Sequence, residues 1–320
     1  MRIILAPMEG VVNHTMRNIL TSLGGIDRCV TEFVRVTDHL FPDRVFYRFC
    51  PELSNGGLTA AGTPVYVQLL GGKPEPMAMN ANRAAQLGAR GIDLNFGCPA
   101  KIVNRNDGGS VLLQTPRRLH EITTAVRRAV PLTVPVTVKM RLGYEDASLL
   151  NDNADAVFSA GATELTIHAR TKSQGYKPPA FWRELEPVCQ RSPIPVIANG
   201  EIWSVADYLE CLRQSGCDDV MIGRGLLARP DLAQRIKQWQ AGEVQQPLSW
   251  SQMVALLVRL LDESQPYCRP KHACDPVKQW LGYLRRGYQQ GADLFEAVKR
   301  IKDPLVFRAA LLDWQARTAA

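Results

Sequence analysis

The stretch Asp93-Leu94-Asn95-Phe96-Gly97-Cys98-Pro99-Ala100-Lys101 concentrates groups that could do chemistry. The short apolar run before it, from Gly91 to Leu94, has the character of the end of a buried strand and leads straight into a turn built from Gly97 and Pro99. Glycine frees the backbone and proline fixes φ, so Cys98 between them is held on a rigid turn. Loops at the carboxyl ends of parallel strands are where α/β enzymes place reactive groups. A thiol there, with Asn95 before it and Lys101 after it, is a candidate acid or nucleophile. On this segment alone a small buried thiol without chemical use fits equally well.

Other apolar runs carry polar residues near their ends. Lys139 interrupts Val136-Thr137-Val138, and a buried lysine is costly unless it faces an anion or a polar ligand. Gln68 comes late in Val65–Gly71, and His168 ends the run from Glu164; a lone histidine there is more often structural. Asn199-Gly200-Glu201 and Gly223-Arg224-Gly225 each follow an apolar run. In a barrel these would be the turns after strands seven and eight, the usual place for phosphate. Glycine lets backbone N–H groups approach phosphate oxygens, and Arg224 adds a charge-assisted pair. The plain alternative is two ordinary turns and a surface arginine.

Eight nearly continuous apolar segments would position these groups: Ile3–Ala6, Cys29–Glu32, Val65–Gln68, Gly91–Asn95, Val136–Lys139, Glu164–His168, Val196–Ala198 and Asp219–Ile222. Parallel strands covered on both faces read this way. Helical patterns such as Pro116–Val130 and Ser204–Gln214 lie between them, so a (β/α)8 TIM barrel is the expected fold. A doubly wound open sheet is the alternative, and the lack of a Gly-x-Gly-x-x-Gly run after the first strand counts against it. Gln240–Ser249 is a polar linker with Gly242 and Pro247, which divides the chain into a barrel, 1–241, and a four-helix domain, 242–320. Ser249 with Gln252 forms a capping-box pattern ahead of the first helix, and Asp275-Pro276 and Asp303-Pro304 open Pro276–Tyr288 and Pro304–Gln315. A shorter helix is expected from about Ala292 to Ile301.

The 320 residues are 46% hydrophobic and 22% charged, ordinary values for a soluble globular chain. No apolar run approaches the ~20 residues needed to cross a bilayer, and the N-terminus reads as a first strand rather than a signal peptide. Eight scattered cysteines without a Cys-x-x-Cys pair fit reduced cytoplasmic thiols, and no spacing suggests a metal site. The net charge is +7, and Arg269–Arg308 holds nine basic against four acidic residues, so the excess that favours a polyanion partner sits late in the chain.

Taken in order, Pro7-Met8-Glu9-Gly10, Asn95-Phe96-Gly97-Cys98-Pro99, Lys139, His168, Asn199-Gly200-Glu201-Ile202 and Ile222-Gly223-Arg224-Gly225 give a chain that resembles, over essentially its whole length, the dihydrouridine synthase family of flavin enzymes acting on tRNA. Thr31-Glu32-Phe33-Val34-Arg35 and Lys278-Gln279-Trp280-Leu281 are similar to the bacterial C-type subfamily, which reduces the uridine at tRNA position 16. The resemblance implies FMN, with Asn199, Gly200, Glu201, Gly223 and Arg224 toward its phosphate and Pro7, Met8, Glu9, Gln68, Lys139 and His168 toward its ring. It implies NADPH as electron donor and Cys98 as the proton donor when the uridine C5=C6 bond is reduced. On the tRNA side it points to Arg35, Asn95, Lys101, Tyr176, Lys278, Tyr283, Arg285 and Lys299. Pro276 stands where the subfamily often has a basic residue, and Phe96 where a small or sulfur residue is common. A monomer without an obligate protein partner is expected. The alternatives are an FMN barrel acting on a free pyrimidine or enone, and a non-catalytic RNA-binding protein; the basic helices argue against the first, and Cys98 with Lys139 against the second.

Overall fold

The computed structural model describes residues 1–319. Nine short parallel strands are formed: β1 (Ile3–Leu5), β2 (Arg28–Val30), β3 (Val34–Arg35), β4 (Val65–Leu70), β5 (Ile92–Asn95), β6 (Val136–Arg141), β7 (Glu164–His168), β8 (Val196–Asn199) and β9 (Asp219–Ile222). Their order is β2-β1-β9-β8-β7-β6-β5-β4-β3, and a further pairing of β2 with β4 closes the sheet on itself. The ninth strand does not make a ninth stave. β2 pairs the start of β4 (Cys29 with Val65) and β3 pairs its end (Val34 with Leu69), so together they occupy one position of an eight-position barrel. The expected continuous segment Cys29–Glu32 is therefore broken at Thr31–Phe33. There Glu32 leaves the ladder and accepts the Gly10 N–H at 2.5 Å.

Period-two alternation within the strands sorts the side chains. One set, including Ile3, Leu5, Val67, Leu94, Val138, Ile167, Ala198 and Val220, joins the large apolar core under the surrounding helices. The alternate set faces the barrel axis, and a small inner cluster of Ile4, Val30, Tyr66, Ile197 and Met221 fills its middle. At the amino end of the strands the axis is closed by ions: Glu164 pairs Arg2 and Arg28 at 2.5 Å each, and Asp219 pairs Arg2 at 2.6 Å. At the carboxyl end the inward row is mostly polar, with Ala6 and Met221 as apolar members.

The last four helices are Trp250–Ser264, Asp275–Leu284, Gln289–Val298 and Pro304–Ala319. Ser249 forms the expected capping box with Gln252. Asp303 Oδ1 accepts the Leu305 and Val306 N–H groups at 2.8 and 3.0 Å, so it caps the final helix. Asp275 does not cap. It lies inside the first turn after Cys274, with its carboxylate on His272 Nδ1 at 2.7 Å. The second helix also stops at Leu284 rather than Tyr288, and the third begins at Gln289 rather than near Ala292. The reason is a close approach: a Cβ on Gly287 would lie 2.1 Å from the Ala228 carbonyl oxygen, so the chain turns there against the barrel. Trp280 is buried at that seam, its indole N–H on the Leu227 carbonyl at 3.0 Å. One apolar cluster runs from the barrel helices through Leu257, Trp280 and Phe307. Among the described residues no helix is long and apolar enough to cross a membrane.

Candidate active site at the carboxyl end of the barrel

The polar inward row opens into a cavity of about 480 Å³. Its floor is made by β4 to β8. Gln68, Asn95, Lys139, Arg141, His168 and Asn199 all reach it, because each sits on the inward side near its strand's end. The turns after β1, β8 and β9 supply Pro7, Met8 and Glu9, then Gly200 and Glu201, then Gly223 and Arg224. Cys98, Tyr176 and Tyr283 complete the wall.

Cys98 is nearly buried on its turn. Its carbonyl accepts Ser110 Oγ at 2.9 Å, Ser110 N at 3.0 Å and Asn104 Nδ2 at 2.9 Å, so the segment 104–110 clamps the thiol-bearing backbone. Gly109 allows this approach: it has φ +67°, and a Cβ there would sit 2.7 Å from the Cys98 carbonyl. Burial pushes the Cys98 thiol up, so it keeps its proton at neutral pH. A protonated thiol aimed into a cavity can donate.

Lys139 is half-buried in the cavity floor and donates to Asn199 Oδ1 at 3.0 Å. Asn199 is fixed in turn by its Nδ2 on the Met221 carbonyl at 2.7 Å. Desolvation, with help from Arg141, lowers the Lys139 ammonium to about 8, while Asp93 pulls the other way. His168 is held well below its ordinary value by burial and by Arg141, Lys139, Arg170 and Arg224, so it is a neutral imidazole. Beneath the floor, Asp93 accepts Gln68 Nε2 and Thr137 Oγ1 at 2.6 Å each, and Gln68 Oε1 accepts Asn95 Nδ2 at 2.9 Å. Burial pushes the Asp93 carboxyl up, against those two hydrogen bonds.

The turn after β8 is left-handed, with Gly200 at φ +122° and Glu201 at φ +56°. Glycine is required at the first: a Cβ would press on His168 Cδ2 at 2.9 Å. Glu201 holds its strained backbone between two guanidinium groups, buried Arg170 and cavity-facing Arg224, both at 2.9 Å. Arg224 also lies over the rings of Trp203 (5.2 Å) and Tyr176 (5.5 Å), and Arg286 covers Trp203 at 3.6 Å.

Arg35 stands outside the cavity wall, its guanidinium 3.5 Å from the Ile102 carbonyl. Lys101 starts the helix Lys101–Arg105 and is exposed. Lys278 and Arg285 part company: Lys278 turns inward onto the Ile301 carbonyl at 2.6 Å, whereas Arg285 is exposed just past the helix end. Lys299 is exposed and pairs with Glu296. Sequence reasoning overlooked Arg141, Glu32 and Trp203 in the cavity wall. Arg141 was available by alternation, two residues beyond Lys139. It ties the Cys98 turn to the loop after β7, donating to Gly97 O at 2.7 Å, Thr171 O at 3.0 Å and Gly175 O at 2.9 Å.

The donor set and the cradle together fit a flavin. Open glycine backbone and a guanidinium at one end suit a phosphate, and a half-buried ammonium with two amides at the other suits a polar ring edge. A family model described as Dihydrouridine synthase (Dus) matches residues 4–317. A tRNA-dihydrouridine(16) synthase of Shewanella oneidensis is 52% identical over 94% of this chain and 94% of its own length. One from Ralstonia nicotianae is 49% identical over 94% and 92%. Among solved structures, histamine dehydrogenase from Rhizobium sp. 4-9 superposes with TM-score 0.57 at 14% identity, over 82% of this chain and 48% of that one. A morphinone reductase variant in complex with tetrahydroNAD gives 0.51 at 15% identity, over 78% and 89%. These two share the barrel fold.

Proposed function

Since the chain belongs to the dihydrouridine synthase family, we propose that its barrel reduces the C5=C6 bond of the uridine at position 16 of tRNA, with FMN bound in the cavity and NADPH as electron donor. When bound, the flavin supplies the hydride. The chain's own residues bind, orient and deliver the proton. Gly200, Gly223 and Arg224 take the phosphate, and Glu201 with Asn199 keeps that corner in shape. Pro7, Met8, Glu9, Gln68, Lys139 and neutral His168 line the ring's place. Lys139 offers a positive charge there, and Asn199 orients it.

Asn95 meets the uracil edge, and Cys98 gives its proton to C5, because a thiol raised by burial is an acid rather than a thiolate at neutral pH. Tyr176 and Tyr283 flank the entrance, where a uridine turned out of its surroundings must pass. Residues 1–241 form the catalytic unit, and 242–320 with Arg35 and Lys101 guide the tRNA by phosphate contacts, Arg285 and Lys299 lying on the exposed side and Lys278 holding the helices together.

The observation that carries this reading is the clamped Cys98 in one cavity with Lys139 and the Gly200–Arg224 corner. The test is incubation of unmodified tRNA with the protein, FMN and NADPH, followed by position-resolved mass spectrometry. Dihydrouridine at position 16 is expected. Turnover of free uracil in place of tRNA would instead favour a small-molecule reductase.

A further inference from the structure

The hydrogen bonds under the cavity floor run in one direction. Gly97 N–H, which can only donate, reaches Asn95 Oδ1 at 2.9 Å. The Asn95 amide therefore turns its nitrogen to Gln68 Oε1 at 2.9 Å. Gln68 in turn presents its nitrogen to Asp93 Oδ2 at 2.6 Å. The chain ends on a carboxyl whose other oxygen accepts Thr137 Oγ1 at 2.6 Å. Amide oxygen and nitrogen are often interchangeable in a structure, but here a backbone donor at one end and a carboxyl acceptor at the other make the order unique. Gln68 and Asp93 are fully buried, and Asn95 reaches the cavity while Asp93 lies beneath its wall.

We propose that Asp93 is a positioning residue for the reduction: through Gln68 it fixes which way the Asn95 amide faces the substrate base. The inference rests on the function proposed above. With the direction fixed, the amide keeps one N–H and one lone pair for the cavity, each at a set position. Uracil presents an N3–H donor beside carbonyl acceptors, whereas cytosine presents the reverse at N3 and C4, so a reversed amide would mismatch the correct base. Without an acceptor at residue 93, the Gln68 nitrogen loses its partner, and reversal of Gln68 strips the anchor from Asn95.

Asp93→Asn and Asp93→Leu separate direction from charge. Asparagine keeps a carbonyl for Gln68 and turns its amino group to Thr137, whose hydroxyl can accept. Leucine keeps the volume without an acceptor. Expected for Asp93→Leu, assayed well below the pH at which Lys139 loses its charge so that the ammonium persists without Asp93, is a loss of about tenfold to a hundredfold in kcat/KM for tRNA, with flavin bound and NADPH-driven flavin reduction within about twofold of wild type. Expected for Asp93→Asn is restoration to within about threefold. Cys98 alkylation by iodoacetamide in flavin-stripped protein should quicken in Asp93→Leu and not in Asp93→Asn, because Asn95 also holds the Gly97 backbone. Should Asp93→Leu shed its flavin, the alkylation comparison decides by itself, because it is read in flavin-stripped protein: quicker reaction in Asp93→Leu than in Asp93→Asn supports the chain of bonds, and equal rates overturn it. Equal impairment of Asp93→Asn and Asp93→Leu would assign the effect to charge and overturn the proposal, as would normal turnover and alkylation in Asp93→Leu. A wild-type protein that leaves uridine in tRNA unreduced would overturn the function itself, and the alkylation series would still report on the chain of bonds.

Discussion

Two residues carry opposite consequences of burial. Burial makes the Cys98 thiol a weaker acid than usual and leaves it protonated, which suits a donor. Cys98→Ala is expected to keep flavin and NADPH oxidation while dihydrouridine formation falls by roughly 10²–10⁴-fold, measured by mass spectrometry of the tRNA. Burial acts on Lys139 the other way, lowering it to about 8. Its charge is present below that pH and lost above it. Arg141 and His168 face it without adding negative charge, Asp93 supports the ammonium from below, and Asn199 accepts its hydrogen bond. Flavin reduction by NADPH should therefore slow as pH rises through about 8 to 9 in stopped-flow traces. Lys139→Met should be slow throughout and lack that limb; an unchanged limb in the variant would exclude Lys139 as its source.

At the scale of the element, what was legible in the sequence was conflict with local pattern. Lysine inside a β-branched run, and a cysteine between glycine and proline, stand out because the pattern alone does not want them. Features imposed by distant contact were not legible. The break between β2 and β3 depends on Glu32 reaching Gly10, and the early stop at Leu284 depends on the Ala228 carbonyl. Lys278 and Arg285 share a spacing that suggests one face, yet only the folded chain sends Lys278 to the Ile301 carbonyl. Lys278→Met should lower the melting temperature, whereas Arg285→Glu should leave it unchanged and weaken tRNA binding with a shallower salt dependence. The turn after β8 gives a second measure. Gly200→Ala adds a methyl group against His168 at a φ that disfavours side chains, so a loss of about 1–3 kcal/mol in thermal or denaturant unfolding is expected, together with weaker flavin retention.

For the whole molecule, the helical tail and the barrel share one apolar core, and Tyr283 from the tail lines the cavity. Removing residues 242–320 should therefore cost flavin binding as well as tRNA binding, read as loss of flavin absorbance after gel filtration; a truncated barrel that stays yellow would show the two parts to be separable. The Trp280 bond to the Leu227 carbonyl bears on this at a single point. Leu227 belongs to the short helix Arg224–Ala228, whose first residue is the arginine that lines the cavity beside Glu201. The tail thus grips one end of a five-residue rod whose other end lines the cavity. Anyone transplanting this tail onto a sister barrel to redirect its choice of uridine would have to move the rod with it. On the proposed reading, in which the tail guides the tRNA, the portable unit begins inside the barrel, at Gly223, and not at the linker where the eye would cut.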